Sequence, residues 1–291
     1  MQTAFALDWI SATTKDHSLS QVIGRLSFGA VHEDWMSGKG MNSYQHSLRH
    51  PLGHVIQWSN VRDEMGINCL FTGMPLKELF DRGVDTLDIV RWMHQEGFKF
   101  RRLDLALDVF GVEIDLEELQ RLKYKGSIQK KPCLYKDGPD CEEGSTLELG
   151  ARGSDKWVRI YDKAAQMGMK DTLWTRFEIQ CKDRVAIKVG KEIAALDDAG
   201  VGKFAIGMMK YMWNPESELI QMIFNAEPQK VSGTKDTNHR TYDWLMSTVS
   251  VTMAKTILEM PHRDVMRTFQ QEVEKHIKEI AAKSMNKHQT E

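Results

Sequence analysis

The chain has no apolar run approaching the roughly 20 residues that span a bilayer, so an integral membrane protein is not expected. A basic segment followed by an apolar one is missing near the N-terminus, and no signal peptide is read there. Its four cysteines, Cys69, Cys133, Cys141 and Cys181, are scattered without CxxC spacing, which speaks against a zinc site or a disulfide framework and for a reducing cytoplasm. Neither an internal repeat nor a low-complexity segment is evident. Large charge of one sign is lacking too: the net charge is −2, which does not mark a nucleic-acid binder. Hydrophobic content of 41% over 291 residues suits a soluble protein of one large domain or two smaller ones.

What is present is a pattern of alternation. Four runs put charged or reactive side chains on every second position: Arg102 to Asp108, Thr146 to Leu149, Trp157 to Tyr161 and Arg176 to Gln180. Successive strand residues face opposite ways. One face therefore carries Arg102, Asp104, Asp108, Glu148, Arg159, Tyr161, Lys163, Arg176, Glu178 and Gln180, and the other carries Leu, Val, Ile and Phe. Paired in one sheet, these runs would gather carboxylates, arginines and a tyrosine over an apolar core. Clustered carboxylates bind hard divalent cations, arginines neutralise phosphate, and a tyrosine beside them can attack phosphorus.

The remaining chain divides by its punctuation. Strands are expected at Phe5 to Thr13, Tyr44 to Ser59, Gly66 to Thr72 and Phe98 to Phe110, with helices near Leu19 to Leu26, after Pro75, after Asp85 and after Asp115. The turn at residues 151–155 predicts a hairpin between Ser145 to Gly150 and Lys156 to Asp162. Val185 to Leu196 is helical in period. From Thr241 two apolar stripes follow, Leu245, Val249, Met253 and Ile257, then Val265, Phe269, Val273, Ile277 and Ile280, either packed on their own domain or forming a dimer contact. The boundaries expected are residues 1–215 for a catalytic domain and 216–291 for a helical region. A basic stretch with Lys130 and Lys131 interleaves tyrosines, as phosphate binding and base stacking require, although a solvated loop has the same composition. His46, His50 and His54 recur every fourth residue, but Pro51 and Gly53 break a helix there and strand spacing is too wide for one ion, so no metal is assigned to them.

Arg102-Leu-Asp104-Leu-Ala-Leu-Asp108, Gly150-Ala-Arg152-Gly-Ser154, Arg159-Ile-Tyr161-Asp-Lys163 and Arg176-Phe-Glu178, in this order, resemble the replication initiation factors of rolling-circle plasmids, filamentous phages and integrative elements. Leu7-Asp8-Trp9-Ile10-Ser11 resembles that family's opening strand, and the likeness covers roughly residues 6 to 200. It implies an α+β fold, a large and mainly antiparallel sheet with helices on one face. It also implies nicking of an origin, single-stranded or extruded, through a 5′-phosphotyrosine with Mg²⁺ or Mn²⁺. By position Tyr161 would be the nucleophile, with Lys163 and Arg176 beside it in catalysis. Asp104 and Glu178 would be metal ligands, with Asp108 or Glu148 as a third. Arg102, Arg152 and Arg159, with Lys130 and Lys131 of the basic stretch, would contact phosphate. A host helicase and polymerase in a bacterial cytoplasm are implied as partners. Two departures stand out: Gly66 to Leu76 matches the family's pattern only loosely, and there is no His-hydrophobic-His pair of the kind other nicking enzymes use. Alternatives are a relaxase-like nickase at a transfer origin and a non-catalytic DNA-binding regulator. From the residues alone, Tyr161 also reads as an ordinary strand tyrosine, Asp104 and Asp108 as ion-pair partners of Arg102 and Arg176, and Glu148 as a surface residue.

Overall fold

Alternation of apolar and polar residues builds a ten-stranded antiparallel sheet in the computed structural model, which describes residues 1–125, 132–136, 145–169, 171–232, 250–259, 264 and 266–275. The strands are β1 (Gln2–Thr14), β2 (Met36–Lys39), β3 (His46–Arg49), β4 (Val55–Trp58), β5 (Ile67–Thr72), β6 (Lys99–Phe110), β8 (Cys133–Lys136), β9 (Ser145–Leu149), β10 (Lys156–Asp162) and β11 (Trp174–Lys182). Their order across the sheet is β2-β3-β4-β5-β1-β6-β11-β10-β9-β8. Two short strands, β7 (Tyr124–Lys125) and β12 (Asn214–Pro215), pair separately. The helices are α1 (Leu19–Arg25), α2 (Gly73–Asp81), α3 (Thr86–Gln95), α4 (Leu116–Arg121), α5 (Lys163–Gln166), α6 (Asp183–Ala195), α7 (Asp198–Met212) and α8 (Glu218–Ile223). The α+β architecture expected from the sequence is the one observed.

Although the sequence shows no repeat, the topology does. Each half enters by a long strand (β1 or β6) and passes a short helix. It then starts again at a sheet edge and returns inward through four strands, β2 to β5 or β8 to β11. Alternation demands only that one face be apolar, so equivalent strands keep the pattern without keeping the residues. β5 presents Asn68 where the second half builds its charged face on β11.

Leu103, Leu105, Leu107, Val158, Ile160, Phe177 and Ile179 form the core with Val185, Val189 and Ile193 of α6 and Met208 of α7. Close approach of α6 depends on Gly190, where a Cβ would lie 2.3 Å from Cδ2 of Phe100. Gly190→Ala is therefore expected to destabilise the protein by about 1–3 kcal/mol through overpacking. That exceeds the gain of ~1 kcal/mol in helix propensity, and urea unfolding measures the balance.

The expected strand Tyr44 to Ser59 is two strands. Pro51, Leu52 and Gly53 turn the chain back, with Gly53 at φ +98° and the His50 amide donating to the His54 carbonyl. His50 and His54 are then buried with rings stacked 4.2 Å apart. Their Nε2 groups donate to the carbonyls of Ser27 and Leu26. Burial, and then the neighbouring His50, lowers the His54 pKa to about 3. Unfolded His54 takes up a proton near pH 6.5 and folded His54 does not. Stability from this group is thus full above pH 6.5 and is lost as pH falls toward 3. Between pH 6.5 and 5 the expected loss is about 2 kcal/mol. His54→Phe should flatten that part of a stability-against-pH curve measured by urea unfolding.

The chain forms two compact units, Met1–Gly233 and Thr234–Glu291. The first runs past 215 because Ile220, Ile223 and Phe224 are buried in its core. In the second, α9 (Ser250–Glu259) and residues 266–275 are helical. Ile257, Phe269 and Val273 of the apolar stripes are exposed, while Leu245, Val249, Val265, Ile277 and Ile280 lie outside the described residues. Among the described residues no helix is long and apolar enough to cross a membrane.

Candidate functional site

The polar face of the central strands carries the site. Register fixes it as rows across the sheet: Trp157, Gln180, Asp104 and Trp9 in one, Arg159, Glu178 and Ala106 in the next, Tyr161, Arg176 and Asp108 in the third. Small Ala106 sits between Asp104 and Asp108 and opposite Glu178, leaving room over the middle row. Lys163 apart, the faces expected from alternation are those observed.

Two bulges add what strict alternation hides. Between Leu7 and Trp9 the register of β1 against β6 shifts, so Asp8 is an extra residue beside Asp104. A second shift, next to Ser11, makes Arg101 an extra residue beside Arg102. Asp8 was not among the sequence candidates. Its signal was there: Leu7 and Ile10 are both core residues, and a strand with two inward residues three apart must contain a bulge. Gly73 at the start of α2 lets Asp8 fit, since a Cβ there would lie 2.7 Å from Asp8 Oδ1.

Tyr161 is 7% exposed and its hydroxyl donates to Glu178 Oε2 at 3.1 Å. The other oxygen of Glu178 accepts from Arg159. Arg102 grips Asp104 through Nε, 2.9 and 3.0 Å from the two oxygens, and through Nη2 at 2.5 Å. Arg176 grips Asp108 at 2.7 Å through both Nε and Nη2, and Asp8 at 2.5 Å through Nη1. Trp174 Nε1 also donates to Asp108, at 2.7 Å. The ion pairs read as an alternative role for Asp104 and Asp108 are therefore formed. The same three guanidiniums also lie against aromatic rings, Arg102 at 3.9 Å from the Trp9 centroid, Arg159 at 5.0 Å from Trp157 and Arg176 at 5.8 Å from Trp174.

Burial dominates the electrostatics. It raises the Asp104 carboxyl to about 7, assisted by Glu178 and Asp8 and opposed by Arg102. Asp8 is raised by burial and then by Glu178. Asp8, Asp104 and Glu178 thus lie close enough to oppose one another's charge. The Tyr161 phenol is pushed up, again by burial first and Glu178 second, so it is protonated at neutral pH. Lys163 is lowered by burial and then by Arg176. It begins α5 rather than continuing β10, because Asp162 caps that helix by accepting from the Ala165 amide at 2.9 Å. Its Nζ still lies 5.7 Å from the Tyr161 ring centroid and donates to Gln166 at 2.6 Å.

Glu148 stands apart. It is on β9, two strands from Glu178, or roughly 10 Å of backbone separation, and Arg152 holds it through three bonds of 2.6 to 3.0 Å. Its surface-residue reading does not hold either, since it is 4% exposed. Lys130 and Lys131 lie outside the described residues.

As they stand, no three or more His, Cys, Asp or Glu among the described residues are arranged to hold an ion. The donor chemistry nonetheless fits a hard cation. Asp104 and Glu178 are buried and Asp8 is half-buried, and neighbouring carboxylate charge helps to raise the proton affinity of Asp8 and Asp104, a repulsion a divalent cation would relieve. Asp108 fits less well, with both oxygens committed to Arg176 and Trp174.

No curated protein matches the chain. A solved structure described as the rolling circle replication initiator protein from Geobacillus stearothermophilus shares the fold, with a TM-score of 0.64 and 21% identity over 80% of this chain and 99% of that one. The replication initiation factor family profile matches residues 98–273, the span that holds every site residue except Asp8 and Trp9. That span is more than half of the sequence, and the chain belongs to the replication initiation factor family.

Proposed function

We propose that this protein initiates rolling-circle replication by nicking one DNA strand at an origin and staying joined to its 5′ end through Tyr161. The observation that carries this reading is the bond from the Tyr161 hydroxyl to Glu178, on a face where buried carboxylates and arginines meet. In the reaction Tyr161 Oη bonds to phosphorus as the bond from phosphorus to the 3′ oxygen breaks. The phenol is protonated beforehand, so its proton passes to Glu178 Oε2, which already accepts it in a hydrogen bond. Lys163, made more acidic by burial and by Arg176, protonates the departing 3′ oxygen. Arg159 and Arg102 would supply positive charge to the non-bridging oxygens, while Arg176 holds Asp108 and Asp8 in place. Asp104, Glu178 and Asp8 are the residues that would hold Mg²⁺ or Mn²⁺. When bound, the cation supplies Lewis-acid stabilisation of the phosphate.

The freed 3′ end would prime a host polymerase, with a host helicase opening the duplex ahead of it. Because Tyr161 lies buried on a sheet face, the scissile strand must be single-stranded or extruded. The same chemistry at a transfer origin would make the protein relaxase-like, and the C-terminal helices would offer a dimer contact.

The test is incubation of the purified protein with supercoiled plasmid carrying its own gene and flanks, with Mn²⁺ or with EDTA. Relaxation with protein on a 5′ end in Mn²⁺, absent in EDTA, supports the proposal. Relaxation unaffected by EDTA removes the cation from it. Tight binding to the plasmid without any nicking identifies a regulator that uses the same ion-pair lattice structurally.

A further inference from the structure

Every carboxylate that the nicking reaction needs is bonded to a guanidinium. Asp104 is fully buried and held by Arg102, and Glu178 is 1% exposed and held by Arg159. A buried carboxylate cannot lose such a partner and stay ionised unless another positive charge takes its place. A guanidinium that is displaced needs an anion in turn, and bidentate arginine suits phosphate. Arg102 and Arg159 are also placed to leave their carboxylates without leaving the site. Each lies against a tryptophan of the same face, Trp9 or Trp157, and each retains partial exposure, 26% and 30% of its side chain. Arg159 also has a buried Nε with no acceptor, a donor that a phosphate oxygen could satisfy once the guanidinium turns away from Glu178. Arg176 differs. It is 8% exposed and spans Asp108 and Asp8 together, which marks it as a fixed strut.

We infer that Arg102 and Arg159 change partners during the reaction: they hold Asp104 and Glu178 until a divalent cation takes those carboxylates, and then hold DNA phosphate. Cation and DNA therefore bind cooperatively. The inference rests on the reading of this face as a metal-assisted nicking centre. Its physical basis is a double exchange. Cation alone leaves two guanidiniums without an anion, and phosphate alone strips two buried carboxylates of their positive partners. Only the two ligands together satisfy all four groups.

The experiment uses the full chain carrying Tyr161→Phe, which cannot cleave. Mn²⁺ binding is measured by titration calorimetry, with and without a saturating short oligothymidylate. The expected result is Mn²⁺ affinity about tenfold higher with the oligonucleotide. By linkage, oligonucleotide affinity should rise by the same factor in Mn²⁺. Simple ionic screening would instead weaken DNA binding, so the sign separates the two effects. Arg102→Gln, added to the same chain, should tighten Mn²⁺ binding in the absence of DNA and reduce the coupling. Thermal unfolding with and without Mn²⁺ establishes that this variant is folded. Equal Mn²⁺ affinity with and without oligonucleotide overturns the exchange but leaves the metal-assisted reading standing. Weaker Mn²⁺ binding by Arg102→Gln overturns it as well. Absence of Mn²⁺ binding under both conditions removes the metal-assisted reading and this inference with it.

Discussion

Tyr161→Phe is expected to lower plasmid nicking by at least about 10³-fold, the scale on which loss of a nucleophile is felt, while affinity for single-stranded DNA changes little. The ring stays in place because its contacts are those of the strand face, and Phe removes only the hydroxyl that donates to Glu178. Folding should not suffer, since the lost bond is a single partly compensated hydrogen bond worth about 1 kcal/mol. Glu178 keeps Arg159 as its partner. Rates from single-turnover relaxation, together with oligonucleotide binding by anisotropy, separate the chemical loss from a binding loss. A reduction below tenfold would mean that another nucleophile performs the step. Glu178→Gln is the informative companion. It keeps the size of the side chain and a carbonyl oxygen for the Tyr161 hydroxyl but no longer takes the proton, so the rate should fall with the fold retained.

Arg176→Met should be the most destabilising single change on this face. Arg176 is buried and satisfies both Asp108 and Asp8, so Met leaves two carboxylates without their guanidinium. Breaking one side of a buried pair costs about 3–5 kcal/mol. That corresponds to a fall in Tm on the order of 10 °C for a unit of this size. Thermal unfolding of the variant measures it. Adding Asp108→Asn to Arg176→Met should recover part of the loss, because the orphaned charge is what costs most. If Arg176→Met unfolds within a degree or two of the parent, the strut reading is wrong. Arg102→Gln should cost less, since only one carboxylate, Asp104, loses its guanidinium and Gln still offers it an amide donor.

The charged face was legible because alternation is a two-residue rule. Arg102, Asp104 and Asp108 could be assigned to one side of β6 from spacing alone, and neighbouring strands had to align their own polar residues with them. Which carboxylates cluster was not legible. That depends on strand order, and only the order β1-β6-β11-β10-β9 shows Glu148 to be two strands from Glu178. Asp8 was hidden by the bulge that places it, for a reading by strict period two cannot anticipate an inserted residue. The long strand expected from Tyr44 to Ser59 failed for a related reason: Pro51 and Gly53 were read as helix breakers and not as the turn of a hairpin. α7 was not among the expected helices, although Val201, Ala205, Met208 and Met212 recur at helical spacing on its buried face. Lys163 was assigned to the strand face although it begins a helix, because Asp162 serves equally as a strand residue and a helix cap.

Identifying the residue that carries the DNA is the most direct test of Tyr161. The protein is incubated with Mn²⁺ and supercoiled plasmid carrying its own gene and flanks, the DNA is digested to a short 5′ remnant, and the tryptic adduct is sequenced by mass spectrometry. The account predicts a nucleotide phosphate esterified to Tyr161. An adduct on any other residue, or quantitative nicking with no covalent protein at either end, would contradict it.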